Sequence, residues 1–146
     1  MAIVYFDSSA FVKLLVEEVG SDLAAQLWDD CDAAVASRLA YPEVRAALAA
    51  ANRNHDLSDE DLSTAEHAWE EFWASTRPVE LTPAVERRAG QLASRHALRG
   101  ADAVHIASAL ALDDVDIVFV AWDRRLRDGV RGAGLRLAPA ELEGGR

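Results

Sequence analysis

Residues 2–11 read AIVYFDSSAF, and this stretch decides the fold class. Its first five residues are apolar and rich in strand-forming side chains, which is typical of a strand covered on both faces. The run stops at Asp7, and Ser8 or Ser9 then offers a hydroxyl that can cap a following helix. A buried strand, an acid and a helix in this order are typical of a parallel α/β sheet.

Residues 116–123 read DIVFVAWD and form a second stretch of the same kind. They predict a strand over 116–122 that ends directly before Asp123. At about 3.3 Å per residue, Asp116 at the start of this strand lies roughly 20 Å from Asp123 and cannot share a site with it. Because the carboxyl ends of parallel strands meet at one edge of a sheet, we expect Asp7 and Asp123 on the same edge.

Alternating strand and helix patterns fill the rest of the chain. Further strands are predicted over 33–37, 78–81 and 135–138, and helices are predicted over 8–18, 21–28, 42–52, 62–73, 82–98, 101–112 and 124–130. Gly100 is expected to end the helix over 82–98. We expect a single domain over residues 1–146, with the helical pair in 37–76 leaning on the sheet. The predicted fold class is α/β, with a doubly wound, mostly parallel sheet flanked by helices.

The composition excludes several classes of protein. The chain has 146 residues, 51% of them hydrophobic, which is enough to bury a core and argues against disorder. No apolar run approaches the ~20 residues that span a bilayer, and the first residues lack the basic segment of a signal peptide. The single cysteine, Cys31, forms no internal disulfide, which fits a reducing compartment. We therefore expect a cytoplasmic protein without membrane contact.

Two further acids stand in apolar surroundings. Glu43 lies in LAYPEVRAALAAA and Asp102 lies in GADAVHIASALAL, each near the start of a predicted helix. A charge in such a stretch is costly unless it is paired or binds a cation. Structural interpretations also exist, because Asp7 and Asp102 can cap helices and Glu43 can favour a helix dipole. Asp123 can pair with the arginines that follow it.

Convergence of these four acids would impose a strong electrostatic constraint. Two carboxylates ~5 Å apart repel by roughly 3 kcal/mol at an effective dielectric constant near 20. A cluster of them must protonate in part or bind divalent cations. Oxygen ligands without cysteine favour Mg²⁺ or Mn²⁺ over Zn²⁺, and such ions activate water and offset charge in phosphoryl transfer.

The net charge of −10 speaks against a nucleic-acid binder, since affinity for polyanions usually comes from lysine and arginine. A bound cation removes much of this objection, because the negative charge of the substrate then meets the metal. An acidic surface also has a plain interpretation as a feature that keeps the protein in solution.

Four segments resemble a PIN-domain ribonuclease, specifically a VapC-type toxin of a bacterial toxin–antitoxin pair. They are IVYFDSSAFVKLLVEE, SRLAYPEVRAAL, LRGADAVHIASAL and IVFVAWDRRLRDGVRGAGLRL, and they cover nearly the whole chain in the expected order. The resemblance implies a doubly wound parallel sheet and endonucleolytic cleavage of RNA by metal-activated water, dependent on Mg²⁺ or Mn²⁺. It also implies a homodimer and an antitoxin partner that blocks the site.

The resemblance assigns the catalytic, metal-holding acids to four positions, namely Asp7, Glu43, Asp102 and Asp123. Ser9 matches the position whose hydroxyl commonly supports the first Asp, and Ser8 is the alternative. One departure stands at Ala121, because the family often has Thr or Ser two residues before the last Asp. A hydroxyl that would help to hold Asp123 is therefore absent.

Several other polar residues have both a functional and a structural interpretation. His105 lies three residues after Asp102 and can be a metal ligand or a proton shuttle, but a buried histidine with satisfied hydrogen bonds is the preferred interpretation. Arg124 and Arg125 can contact phosphates or hold the acids. For Arg127 a solvated helix face is preferred.

Lys13 can reach a phosphate, or it can be an exposed helical lysine. Trp69, Phe72 and Trp73 are interpreted as packing or a dimer surface rather than as a platform for stacking bases.

Two other functions stay open at this point. A phosphotransfer protein of receiver or haloacid-dehalogenase type also places an Asp after its first strand. Against it, Ser9 replaces the second Asp of the haloacid-dehalogenase motif, and no lysine follows Lys13 to serve a receiver. A non-catalytic binding module, whose acids only cap helices, is the other alternative.

Overall fold

The computed structural model describes residues 2–113 and 116–142, which form an α/β fold. The strands are β1 (Ile3–Phe6), β2 (Ala33–Ser37), β3 (Arg77–Val79), β4 (Val118–Val120) and β5 (Arg136–Ala138). The helices are α1 (Ser8–Leu15), α2 (Ser21–Asp30), α3 (Ala40–Arg53), α4 (Asp59–Ala74), α5 (Pro83–His96), α6 (Gly100–Leu110) and α7 (Arg124–Gly132). Within these ranges, every helix is too short or too polar to cross a membrane.

All strands of the sheet run parallel, in the order β3-β2-β1-β4-β5. The chain starts at the centre, moves outward through β2 and β3, and then returns to the other side of β1 to form β4. Phe6 of β1 lies opposite Val120 of β4 in the register. Connections leave β1 and β4 in opposite directions, and this reversal opens a crevice beyond their carboxyl ends.

Side chains of β1 alternate between two hydrophobic cores. Tyr5 faces a core formed with α5, α6 and α7, in which Ile106 and Leu126 are buried. Val4 and Phe6 face a second core, formed with α1, α3 and α4. Because helices cover both faces, the doubly wound parallel sheet predicted from the sequence is confirmed.

The aromatic residues of α4 belong to the second core. Trp69 is fully buried, and its ring centroid lies 4.8 Å from that of Phe11 and 6.0 Å from that of Tyr41. The predicted packing role of Trp69 is thereby confirmed. Through these contacts α3 and α4 form part of the core that covers the sheet.

The predicted elements match the observed ones within three residues at either end. Strand β4 covers Val118–Val120 and is shorter than the predicted 116–122. Helix α5 ends at His96 because Ala97 adopts the left-handed conformation, with φ of 52°, that glycine usually supplies at a helix end. Gly100 therefore begins α6 instead of ending α5.

Arg127 on α7 is buried, so the preferred interpretation of a solvated side chain is wrong. Its guanidinium donates hydrogen bonds to the carbonyl oxygens of Ala121 at 2.8 Å and Ala140 at 3.3 Å. The long side chain thus connects α7 to the residue after β4 and to the chain beyond β5. Sequence patterns do not reveal this role, because backbone carbonyls, not acidic side chains, satisfy the charge.

Replacing Arg127 by alanine is expected to lower the free energy of unfolding by about 2–4 kcal/mol, because charge-assisted hydrogen bonds and buried aliphatic packing are lost together. Arg125→Ala, on the exposed side of the same helix, is the control, with an expected change within about 0.5 kcal/mol. Urea denaturation followed by circular dichroism measures both variants. Equal effects of the two substitutions would contradict the structural role of Arg127.

Candidate active site

Each of the four candidate acids lies at the start of a helix. Asp7 directly follows β1 and precedes α1, and Asp123 lies between β4 and α7. Glu43 and Asp102 lie in the first turns of α3 and α6. The backbone N–H of Asp7 donates to the carbonyl of Val120 at 3.5 Å, which joins the ends of β1 and β4.

Asp7 is the buried member of the set, with 4% of its surface exposed. Its Oδ1 accepts a hydrogen bond from the backbone N–H of Ala10 at 2.8 Å and so caps α1. The Ser9 hydroxyl lies 3.0 and 2.9 Å from the two carboxylate oxygens and donates to them. Of the two candidate serines, Ser9 is the one that contacts Asp7.

Burial raises the pKa of Asp7 from 3.8 to about 6, although His105 and the hydrogen bonds from Ala10 and Ser9 act in the opposite direction. The neighbouring charge of Asp102 adds to the increase in pKa. Asparagine caps a helix about as well as aspartate and carries no charge. Capping alone therefore does not explain why an ionisable carboxyl stands at this position.

Glu43 is held through one of its oxygens. Its Oε1 accepts a hydrogen bond from the Ser8 hydroxyl at 2.6 Å and lies 2.6 Å from Nε2 of His105. Burial by itself raises the pKa of Glu43, but these hydrogen bonds and the nearby His105 and Arg99 outweigh burial and lower the pKa overall. Glu43 is thus ionised at neutral pH.

Asp102 and Asp123 are more accessible than Asp7. Asp102 Oδ2 accepts from Nε of Arg99 at 3.1 Å, and 13% of the Asp102 side-chain surface is exposed. Asp123 is exposed, and its Oδ1 accepts from the N–H of Leu126 at 2.9 Å to cap α7. Of the four acids, Asp7 is thus buried, Glu43 and Asp102 are half-buried, and Asp123 is exposed.

Electrostatic interactions connect the four acids. Arg99 interacts with the charges of Asp102, Asp123 and Glu43, and Asp7 interacts with the charge of Asp102. Interactions between accessible charges fade within about 10 Å at 0.1 M salt. Arg99 therefore contacts Asp102 directly and interacts with the charges of Asp123 and Glu43 at longer range.

The donor set suits a hard divalent cation, although the carboxylates do not form a closed cage. Among residues 2–113 and 116–142, no three His, Cys, Asp or Glu side chains are arranged so that they could together hold a metal ion. One oxygen each of Glu43, Asp102 and Asp123 accepts no hydrogen bond within this part of the chain. Mg²⁺ typically binds one or two carboxylates and keeps several waters, so it needs no closed cage.

Comparison with known proteins identifies the family. Residues 4–129 match the profile of the PIN domain. The sequence is also 66% identical over 143 residues to Ribonuclease VapC45 of Mycobacterium tuberculosis (strain CDC 1551 / Oshkosh). The aligned residues cover 98% of this chain and 99% of that protein. The chain belongs to the PIN-domain family, in its VapC group.

Solved structures share the fold of this PIN domain. FitAcB from Neisseria gonorrhoeae superposes with a TM-score of 0.69 at 15% identity, over 92% of this chain and 95% of that chain. A toxin–antitoxin complex from Klebsiella pneumoniae gives a TM-score of 0.64 at 14% identity, over 94% and 98% of the two chains. Family membership and fold together exclude a receiver or a haloacid dehalogenase.

Two residues that contact the candidate acids or their partners, Arg99 and Tyr5, are not predicted from the sequence of this PIN domain. Arg99 precedes Asp102 by three residues, a spacing that brings helix neighbours together and that could have signalled the pair. Tyr5 contacts His105 but lies within an apolar strand, where it gives no signal. The predicted buried histidine at position 105 is confirmed, and one of its partners is Glu43 itself.

Lys13 is not an exposed helical lysine, since only 12% of its side-chain surface is exposed. Its ammonium lies 4.9 Å from the ring centroid of Trp122 and donates hydrogen bonds to Glu18 at 3.0 Å and to the Val19 carbonyl at 2.6 Å. The side chain thereby holds the loop after α1 against the residue that precedes Asp123.

Asp7→Asn is expected to stabilise the metal-free PIN domain at pH 7.5 by up to about 3 kcal/mol, the equivalent of a pKa raised from 3.8 to about 6. The folded protein prefers protonated Asp7, so its contribution to stability is full below pH 3.8 and is lost as the pH rises through about 6. The advantage of the variant should therefore nearly vanish at pH 4. Urea denaturation in EDTA at both pH values measures it, and a gain that does not depend on pH would contradict the buried, ionised Asp7.

Proposed function

We propose that this chain is a Mg²⁺- or Mn²⁺-dependent endoribonuclease that acts as the toxin of a toxin–antitoxin pair. The observation that carries the proposal is the ionisable carboxyl of Asp7, buried at the β1/β4 reversal although a neutral cap would serve the helix as well. The 66% identity to a ribonuclease over nearly the whole chain supports the same activity. The whole of residues 1–146 acts as one PIN-like domain, in the cytoplasm where RNA is available.

The catalytic, metal-holding residues of this proposal are Asp7, Glu43, Asp102 and Asp123. When bound, the cation supplies the Lewis acidity that activates water and offsets charge on the scissile phosphate. Ser9 holds Asp7, and Ser8 holds Glu43, so each of these carboxylates keeps its orientation through a hydroxyl of α1.

The N-terminal end of α7 takes over the support that a hydroxyl at position 121 would give to Asp123. Ala121 is buried, and its carbonyl accepts from Arg127. Asp123 is held by the N–H of Leu126 instead, and the exposure of its carboxylate leaves it open to a phosphate and its counterion. Arg124 and Arg125 are exposed directly after it, where they can contact the backbone of an RNA.

The net charge of −10 is compatible with an RNA substrate under this proposal. The phosphate meets a divalent cation at the site, and the accessible arginines supply the remaining attraction. The expected protein partners are a second copy of the chain and an antitoxin whose basic side chain pairs with the acids. The structural likeness to a toxin–antitoxin complex supports the antitoxin partner.

A binding module without catalysis is the second candidate, because Asp7 and Asp123 do cap helices. That function leaves the buried charge of Asp7 without a purpose. It also predicts that substitution of Asp7 by asparagine changes neither activity nor cation affinity.

Purified chain, free of any antitoxin, is expected to cleave RNA from a total cellular extract in Mg²⁺ or Mn²⁺ and to be inactive in EDTA. Asp7→Asn should lower the cleavage rate by more than about 100-fold, because a carboxylate at the cation is lost. Gel electrophoresis of the RNA over time measures the rate.

Asp116→Asn is the matched control, since Asp116 lies just before β4, away from its carboxyl end, and is exposed. Its rate should equal that of the unchanged protein. Cleavage that persists in EDTA, or an Asp7→Asn rate equal to that of the control, would contradict the proposed function.

Arg99→Gln is expected to increase Mn²⁺ affinity by about two- to fivefold, because the guanidinium and the cation compete for the same accessible carboxylates. Isothermal titration calorimetry at pH 7.5 measures the affinity. A weaker affinity in this variant would show that Arg99 supports the cation site instead of competing with the cation.

A further inference from the structure

A chain of hydrogen bonds through the core ends on Glu43. The backbone N–H of Ser37 donates to the hydroxyl oxygen of Tyr5 at 3.0 Å. That hydroxyl lies 2.7 Å from Nδ1 of His105, and Nε2 of the same ring lies 2.6 Å from Oε1 of Glu43. Tyr5 is fully buried and His105 is 2% exposed, so water does not compete for these partners.

With a neutral His105 ring, the donors and acceptors along this chain have one consistent arrangement. A carboxylate only accepts, so Nε2 of His105 carries the hydrogen that is donated to Glu43. Nδ1 of the neutral ring is then an acceptor, and the Tyr5 hydroxyl donates to it. The Tyr5 oxygen in turn accepts from Ser37. The Glu43 carboxylate thereby selects the tautomer of His105, and the Tyr5 hydroxyl holds the ring at Nδ1.

The members of the chain are anchored on four different elements. Ser37 ends β2, Tyr5 lies in β1, His105 lies in α6 and Glu43 lies in α3. The Tyr5 ring also stacks on Phe119 of β4, with 4.7 Å between the ring centroids. These contacts therefore fix the position of the Glu43 carboxylate relative to the centre of the sheet as well as to its own helix.

We propose that Tyr5 and His105 are positioning residues that orient Glu43 for catalysis, an inference that rests on the proposed ribonuclease function. With Oε1 held by the ring and by Ser8, Oε2 is the oxygen that remains for a cation or a substrate. In the other tautomer, a bare ring nitrogen would face the carboxylate, and two acceptors would repel each other. The Glu43 carboxylate disfavours that arrangement, and the Tyr5 hydroxyl holds the ring in the favoured one.

Three variants separate this role from simple core packing: Tyr5→Phe, His105→Leu and His105→Gln. The first removes the hydrogen bond that holds the ring at Nδ1, and the second removes the donor to Glu43. The third places an amide N–H where Nε2 stood, so it retains a donor to the carboxylate. The readouts are the ¹⁵N chemical shifts of the His105 ring in metal-free protein, Mn²⁺ affinity by calorimetry, and kcat and KM for RNA cleavage.

The unchanged protein should show the ring protonated at Nε2, and Tyr5→Phe should lower Mn²⁺ affinity and kcat because the ring is no longer held at Nδ1. His105→Leu should lower Mn²⁺ affinity and kcat by about 10- to 100-fold, with KM within about threefold. His105→Gln should restore most of the loss. If His105→Leu does not fold, the comparison of Tyr5→Phe with His105→Gln carries the test.

A ring protonated at Nδ1 in the unchanged protein would overturn the proposal. So would Tyr5→Phe and His105→Leu proteins that melt earlier but keep Mn²⁺ affinity and kcat, since that pattern is the signature of a packing role. Failure of the unchanged protein to cleave RNA would contradict the proposed function instead, and the tautomer and Mn²⁺ affinity would still decide whether Tyr5 and His105 position Glu43.

Discussion

The burial of one carboxyl group at the end of the central strand is the constraint on which the rest of the structure depends. Asp7 directly follows β1, at the point where the connections from β1 and β4 leave in opposite directions. Little water reaches it there, because 4% of its surface is exposed. Ionising the carboxyl of Asp7 there costs free energy, and this cost raises its pKa. Ionised Asp7 weakens the folded protein at neutral pH, so its presence requires an explanation other than folding. The proposed cation site provides that explanation.

The surrounding helices reduce that cost without removing it. All four acids lie at helix starts, where unpaired backbone N–H groups and the helix dipole favour negative charge. Capping and catalysis are therefore not exclusive, because a carboxylate that gives one oxygen to a helix keeps the other for a ligand. Arg99 supplies an exposed positive charge, with 69% of its side-chain surface accessible, that can yield to a cation.

Sequence patterns predict the fold well because its central strands, β1, β2 and β4, are short apolar runs that are buried on both faces. The positions of Asp7 and Asp123 on one edge follow from the parallel sheet. The failures have local causes. Ala97 takes a conformation that is typical of glycine, and backbone carbonyls satisfy Arg127. Asp123 is exposed although Ala121, two residues before it, is fully buried, so the apolar run does not reveal its exposure.

The candidate site is predictable only as a set of acids, not as a set of contacts. Ser8 and Ser9 are adjacent in sequence, and only the helix geometry assigns one to Glu43 and the other to Asp7. The sequence indicates a core residue at Tyr5, and its ring is buried. Its hydroxyl acts on the site through His105, which lies 100 positions away in the sequence.

The most direct test of a cation site at the buried carboxyl is a crystal structure of the protein soaked in Mn²⁺, with anomalous scattering measured at the manganese absorption edge. We expect an anomalous peak within coordination distance of Asp7 and at least one of Glu43, Asp102 and Asp123. A peak elsewhere, or a carboxyl of Asp7 that contacts only Ala10 and Ser9 at saturating Mn²⁺, would contradict this expectation.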